Sequence, residues 1–369
     1  MKFHNQIILL LVIIIIAGAI MTIENKKASQ RGDIVREEIS LNSTEAKTQA
    51  DLDRISGKES RYSKAIELVS PDGYINTDNI TIKELIGKKV ILLDFWTYSC
   101  INCQRTLPYV TSWYEKYKDD GIMIIGVHTP EFDFEKDYNN VKRAVEKFNI
   151  NYPVVQDNFY QTWQAYGNRY WPRKYLIDID GFITYDIIGE GRYTITEQKI
   201  QEALEERAKV LSLSEGIDRN ISKPNATDVN FLQIRTPEIY FGYKYARDGQ
   251  LGNSEGYKEE EVVSYNLPAL IKADKYYLDG MWRNRNDAMQ LDSEKGKVQI
   301  LFNAKNVYFV AGSSEEVQVN VKLDGKLVNN LTVKDFTLYH AVSLEDYSEH
   351  ILELEIEKPS LTIFTFTFG

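Results

Sequence analysis

Lys89-Val90-Ile91-Leu92-Leu93-Asp94-Phe95-Trp96 leads, three residues later, into Cys100-Ile101-Asn102-Cys103. Apart from Lys89 and Asp94 the first stretch is apolar, and a short run of this kind bounded by polar residues reads as a strand buried on both faces. From residue 100 to residue 118 the period changes. Cys103, Leu107, Val110, Tyr114 and Tyr117 recur at intervals of four and three, the stripe of a helix. The cysteine pair thus sits where a buried strand hands over to a helix. Further strands are predicted at 122–127, 175–179 and 182–188, the last after an Asp180-Gly181 turn, and helices at 139–148 and about 195–208. Thr194 and Glu197 have the T-x-x-E spacing of a capping box at the start of the second helix. Strands alternating with helices argue an α/β layer.

The chain around this stretch has 369 residues, enough for two or three domains at roughly 100–200 residues each. With 44 basic and 54 acidic residues its formal charge is −10, which opposes the basic footprint of a nucleic-acid binder. Cys100 and Cys103 are the only cysteines, so a disulfide-stapled scaffold and an all-cysteine zinc site are both excluded. The histidines, His4, His128, His340 and His350, show no ligand spacing, and no metal site is predicted. Residues 7–21 (IILLLVIIIIAGAIM) are unbrokenly apolar. They predict a signal peptide or membrane anchor within 1–27, with Ala17-Gly18-Ala19 as an A-x-A cleavage site, and export with retention at the membrane is the favoured outcome. Residues 28–62 are polar and weakly periodic, as in a tether, and a second polar joint falls at 211–230. Between the joints lies the α/β domain, 63–210. Beyond them, Val317, Val319, Val321 and Leu323 alternate with polar residues up to Asp324-Gly325, a hairpin signal, and the chain closes on Phe364-Thr365-Phe366-Thr367-Phe368. Residues 231–369 are predicted to form an all-β, jelly-roll-like sandwich.

The position of the cysteines assigns them different roles. Cys100 stands at the helix N-terminus, where unpaired N–H groups and the helix dipole stabilise a thiolate, so it is the attacking thiol. Cys103 heads the buried stripe one turn in, placed to attack the mixed disulfide. Asp94 on an apolar strand needs a reason. One reading makes it a buried proton acceptor for Cys103, its pKa raised by desolvation; the other is a strand-end carboxylate that reaches water or caps a backbone group. Thr97, three before Cys100, matches a peroxidatic T-x-x-C, but Leu93 stands where that signature has proline. His128, after a strand end, either lines a substrate groove or is a turn histidine satisfied by backbone.

Asp94-Phe95-Trp96, Cys100-x-x-Cys103 and Pro108 resemble the thioredoxin active-site strand and its proline-bent helix. With Gly126-Val127-His128-Thr129-Pro130-Glu131-Phe132 and Tyr166-Gly167-Asn168-Arg169-Tyr170-Trp171-Pro172, the chain is more narrowly similar to the extracytoplasmic TlpA/DipZ-type thiol:disulfide oxidoreductases. The resemblance implies a thioredoxin-like fold with a central mixed sheet flanked by helices, Pro172 as a cis-proline facing the disulfide, and Trp171 backbone that pairs with an extended substrate segment. It covers residues 63–369. Thr236-Pro237-Glu238-Ile239-Tyr240-Phe241-Gly242-Tyr243, Leu278-Asp279-Gly280-Met281-Trp282 and Phe364-Thr365-Phe366-Thr367-Phe368-Gly369 look like the carbohydrate-binding-module-like sandwich of the DipZ type. DipZ-type proteins begin with a CcdA-like multi-helix electron carrier, and a single apolar segment stands here instead. The resemblance then implies a separate membrane electron donor of the CcdA type, protein disulfides as substrates, no cofactor beyond the Cys100–Cys103 disulfide, and reduction rather than oxidation. Tyr240, Tyr243, Tyr245, Tyr257, Tyr276, Tyr277 and Trp282 either form a stacking platform for a glycan or pack the strands. The competing function is therefore a glycan- or partner-binding protein in which the thiol domain is a passenger.

Overall fold

The computed structural model describes residues 48–369 other than 215, 228 and 248. The signal peptide or anchor expected within 1–27, and the tether expected from 28 as far as 47, lie outside the described residues. Among the described residues no helix is long and apolar enough to cross a membrane. They divide into two compact units that do not follow chain order. The first takes the residues up to Trp96, then Tyr109–Pro130 and Lys142–Pro224; the second takes Thr97–Pro108, Glu131–Val141 and Asn225–Gly369.

The first unit is built on a six-stranded mixed sheet. In chain order its strands are β1 (Gly73–Ile75), β2 (Val90–Trp96), β3 (Ile122–His128), β4 (Val154–Gln156), β5 (Arg173–Ile177) and β6 (Ile183–Ile188), arranged β1-β4-β3-β2-β5-β6. β2 is buried at all seven positions, parallel to β3 on one side and antiparallel to β5 on the other. That central place is why its sequence is a continuous apolar run and does not alternate. Ile91, Leu93 and Phe95 face a core shared with Ile125, Val127, Trp163, Tyr166 and Tyr175.

Two sequence expectations are corrected here. The tether at 28–62 ends early, because residues Gln49–Glu59 form helix α1, capped by Thr48 and Asp51. This helix buries no side chain and is held by charge, Lys58 reaching Asp178 at 2.6 Å, Asp180 at 2.8 Å and Glu206 at 2.7 Å, while Arg54 reaches Asp180 at 2.8 Å. The helix predicted at 195–208 runs over Tyr193–Val210 and is not opened by a Thr194–Glu197 capping box. Its N-cap is Arg192 in the left-handed region, φ 51°, and Glu197 is buried, where it accepts hydrogen bonds from Trp113, Tyr117 and Ser222. Within the polar joint at 211–230, Ser222 is bound to Glu197, Arg219 pairs with Glu205 at 2.5 Å, and Lys116 bonds the Asn220 carbonyl.

The second unit carries nine strands, β7 (Ile239–Tyr240), β8 (Val262–Tyr265), β9 (Tyr276–Asn284), β10 (Met289–Leu291), β11 (Gly296–Gly312), β12 (Val317–Leu323), β13 (Lys326–Val333), β14 (Thr337–Ile356) and β15 (Thr362–Phe368). They form one hydrogen-bonded antiparallel sheet with one apolar core, made continuous by the long strands β11 and β14. Their pairing shifts register near Asn306, and on its other edge β11 pairs with β9 through its first half and with β15 through its second. The β12–β13 turn is the one its sequence demands: Asp324 at φ 49° and Gly325 at φ 80° match a type I′ hairpin. Of the aromatics proposed as a sugar platform, Tyr276, Tyr277 and Trp282 are core residues, no more than 3% exposed, and the Tyr276 ring stacks on Phe241 at 4.0 Å.

Two short segments from the first half of the chain belong to this unit. Phe132 and Phe134 pack with Phe336, Phe364, Val310 and Ala288 in a cluster of their own. The redox helix, α2 (Ile101–Tyr117), begins in the same unit.

Candidate redox site

Cys100 is partly exposed and Cys103 is fully buried. The Cys103 N–H donates to Cys100 Sγ at 3.3 Å, so the attacking sulfur of the sequence reading accepts from an amide of the first helical turn. The predicted stripe is largely realised: Cys103, Leu107, Val110 and Tyr117 are buried, together with Trp113.

The approach to Cys100 is more buried than Cys100 itself. Thr97, Tyr98 and Ser99 are each 4% exposed or less. Ser99 is held by Glu135, whose carboxylate accepts from the Ser99 N–H at 3.2 Å and the Ser99 hydroxyl at 2.6 Å, and on its other oxygen from the Glu131 and Phe132 N–H groups at 2.6 and 3.0 Å. Burial pushes the Glu135 carboxyl up, and these donors pull it back. Tyr98 donates its hydroxyl to the Phe336 carbonyl at 3.1 Å, rests edge-on against Phe134, and offers its own carbonyl to Gln104 Nε2 at 2.8 Å.

Asp94, Trp171 and Pro172 belong to the first unit. Asp94 is fully buried and its Oδ1 lies 3.1 Å from Lys174 Nζ, the residue directly opposite it on β5. Desolvation raises its pKa and the Lys174 ammonium opposes that rise. The strand-end reading, a carboxylate that reaches water, is ruled out by this burial. Trp171–Pro172 is a cis peptide, as the resemblance implied. The Trp171 indole donates to the Thr129 carbonyl at 3.0 Å and packs on Trp163 at 4.2 Å between ring centres. The Pro172 carbonyl is taken by the Gly189 N–H at 2.8 Å. His128 does not line a groove: it is fully buried, edge-on to Trp96, and burial holds its pKa down at about 3. Among the described residues no group of three His, Cys, Asp or Glu side chains could hold a metal ion.

Lys174, Glu135 and Tyr98 were not singled out in the sequence. Reading the β5 strand two residues late, at 175–179, left Lys174 outside it; the true register sets it opposite Asp94. Glu135 carries no local signal, because its partner Ser99 is 36 residues away.

Residues 63–186 match the AhpC/TSA family, and residues 236–369 match the family described as thioredoxin like C-terminal domain. The thiol-disulfide oxidoreductase ResA of Bacillus thuringiensis subsp. konkukian is 30% identical over 135 residues, 34% of this chain and 73% of ResA. YkuV of Bacillus subtilis, also a thiol-disulfide oxidoreductase by name, is 27% identical over 140 residues, 38% of this chain and 93% of YkuV. The chain belongs to the thiol-disulfide oxidoreductases of thioredoxin-like fold. Protein DipZ of Mycobacterium tuberculosis is similar through both parts, 33% identical over 344 residues, which is 92% of this chain. The chain spans about half of DipZ, 48% of its length.

Proposed function

We propose that the chain is an extracytoplasmic protein thiol:disulfide oxidoreductase that reduces its substrates through Cys100 and Cys103. The observation that carries this reading is the asymmetry of the pair: one sulfur partly exposed at a helix N-terminus over a backbone N–H, the other fully buried one turn away. In the reductive direction the Cys100 thiolate attacks a substrate disulfide, forms a mixed disulfide and expels one substrate thiolate, which takes up a proton. Cys103, deprotonated, then attacks Cys100 Sγ, expels the second substrate thiolate and leaves the Cys100–Cys103 disulfide. Two electrons and two protons pass to the substrate, and an external dithiol must return them. A membrane protein of the CcdA type fits that role, and the apolar 7–21 segment fits a chain kept beside it.

Asp94 is the group we assign to the Cys103 proton. Its burial and raised pKa, with Lys174 as counter-charge, suit a carboxyl that takes up and returns a proton. For the substrate chain, Trp171 is the proposed docking point by β-addition, because the next carbonyl, that of Pro172, is already engaged by Gly189.

The test is trapping. Cys103→Ser is expected to accumulate mixed disulfides through Cys100 on non-reducing gels, and Cys100→Ser to accumulate none. Adducts with Cys100→Ser alone would invert the roles; adducts with neither would favour the passenger reading; partners confined to the cytosol would overturn the location.

A further inference from the structure

The two residues that lead into Cys100 are each fastened to a different element of the second unit. Ser99 hangs on Glu135, in the 131–141 segment, by both its amide and its hydroxyl. Tyr98 hangs on the Phe336 carbonyl, at the start of β14, and its ring is wedged against Phe134. Phe134 in turn packs on Phe336 and Phe364, at 5.4 and 4.8 Å between ring centres. All of Thr97–Ser99 is buried, and exposure begins at Cys100. Such a loop has little freedom, whereas its last residue, the nucleophile, must meet substrates of many shapes.

We infer that Glu135 and Tyr98 are positioning residues of the redox pair, fixing the backbone from which Cys100 presents its sulfur to Cys103 and to substrate. The inference rests on the redox reading above. Glu135 suits the task because uncharged donors converge on its carboxylate, two of them from Ser99, two from the turn that carries Phe132, and the side chain of Thr97. A carboxylate is acceptor-only and can serve such a set; a glutamine at the same place offers one acceptor oxygen and turns an NH2 group toward donors. Tyr98 ties the same loop to the 225–369 segment, so that segment contributes to thiol chemistry through the loop. Closing the Cys100–Cys103 disulfide depends on the two sulfurs being held near each other, and a loosened loop lowers their effective concentration.

The experiment uses the full chain in detergent, with Glu135→Gln, Tyr98→Phe and, as a milder probe should the first fail to fold, Ser99→Ala. Two quantities are read: the equilibrium constant for forming the Cys100–Cys103 disulfide against glutathione, and the rate of Cys100 alkylation by iodoacetamide at pH 7. Glu135→Gln is expected to lower the equilibrium constant about tenfold, which is about 30 mV for this two-electron couple, and Tyr98→Phe about threefold, with alkylation slowed in both. A merely structural role would lower the melting temperature and leave both quantities of the folded protein unchanged, and that result overturns the inference. Faster alkylation in Glu135→Gln also overturns it, because it would mean that Glu135 acts through its negative charge. If the unmodified chain does not equilibrate with glutathione at all, the redox reading itself fails, a result separate from either of these.

Discussion

Asp94 in the first unit and Glu135 in the second are both fully buried carboxyls, yet they are accommodated in different ways. Asp94 faces one ammonium, Lys174 at 3.1 Å. Glu135 faces neutral donors, those of Ser99, the Glu131 and Phe132 amides and the Thr97 side chain. In both, burial is the largest influence and the pKa is raised. Glu197 combines the two devices, with Trp113, Tyr117 and Ser222 as donors and Lys116 at 3.2 Å, and there the carboxyl is held below its usual value. Of these three carboxyls only Glu197 has both devices and only Glu197 is lowered; Asp178, with Lys58 and two backbone N–H donors, stays raised, so the combination does not by itself set the sign. The Asp94 arrangement leaves a carboxyl ready to take a proton, and that of Glu197 fixes an anion.

Breaking the Asp94 arrangement should have the largest effect. Lys174→Met leaves a buried carboxylate without its counter-charge, a loss of about 3–5 kcal/mol. Since protonation relieves it, the deficit in urea unfolding is expected to be larger at pH 8 than at pH 5. A deficit independent of pH would show that Lys174 acts by packing alone.

Asp157 extends the donor-only class. It is 2% exposed, accepts from the Thr162 and Trp163 amides at 3.0 and 2.8 Å, and burial pushes it up to about 6. The folded protein keeps its proton up to about pH 6, the unfolded chain only below its ordinary value of 3.8. Through that window its contribution to stability is present at low pH and lost as pH rises. About two units correspond to about 3 kcal/mol. His128, held at about 3, slopes the opposite way between pH 3 and its ordinary 6.5, so in the native chain the two offset each other. Asp157→Asn removes one side of that balance: relative to the parent, it is expected to lose about 3 kcal/mol as the pH falls from 7 to 4. A constant difference across that range would remove Asp157 from the class.

Glu197→Gln should have the smallest effect, about 1–2 kcal/mol at pH 7. The sign reverses: a lowered carboxyl contributes stability above its unfolded pKa, and that contribution disappears as the pH falls through the folded one. The variant and its parent are expected to converge in acid; a gap that widens there would contradict a lowered Glu197 carboxyl.

What could be read in the sequence was what local chemistry dictates. β2 was visible because a strand paired on both sides and covered on both faces must be apolar throughout, and the 324–325 turn because only certain residues accept two positive φ angles. The cysteine pair was legible because strand, cysteine spacing and helix are contiguous. Helix α1 was not, because it buries nothing and is held by carboxylates more than 100 residues away. Thr194 and Glu197 had the spacing of a cap, but Glu197 is used as a tertiary anchor, and no local pattern separates those uses. The supports of the site, Lys174 for Asp94 and Glu135 for Ser99, are likewise pairs that exist only once the chain has folded.

The membership of the second unit sets a timetable for synthesis. Phe134 and Phe364 end up 4.8 Å apart between ring centres, yet they are separated by about 230 residues of chain. At roughly 5–20 residues per second, about 10–50 s pass between the appearance of one ring and the other. For that interval Phe132 and Phe134 lack their apolar partners, and Tyr98 lacks the carbonyl that anchors it. The nascent chain thus has its thiols available well before the loop that carries them is locked.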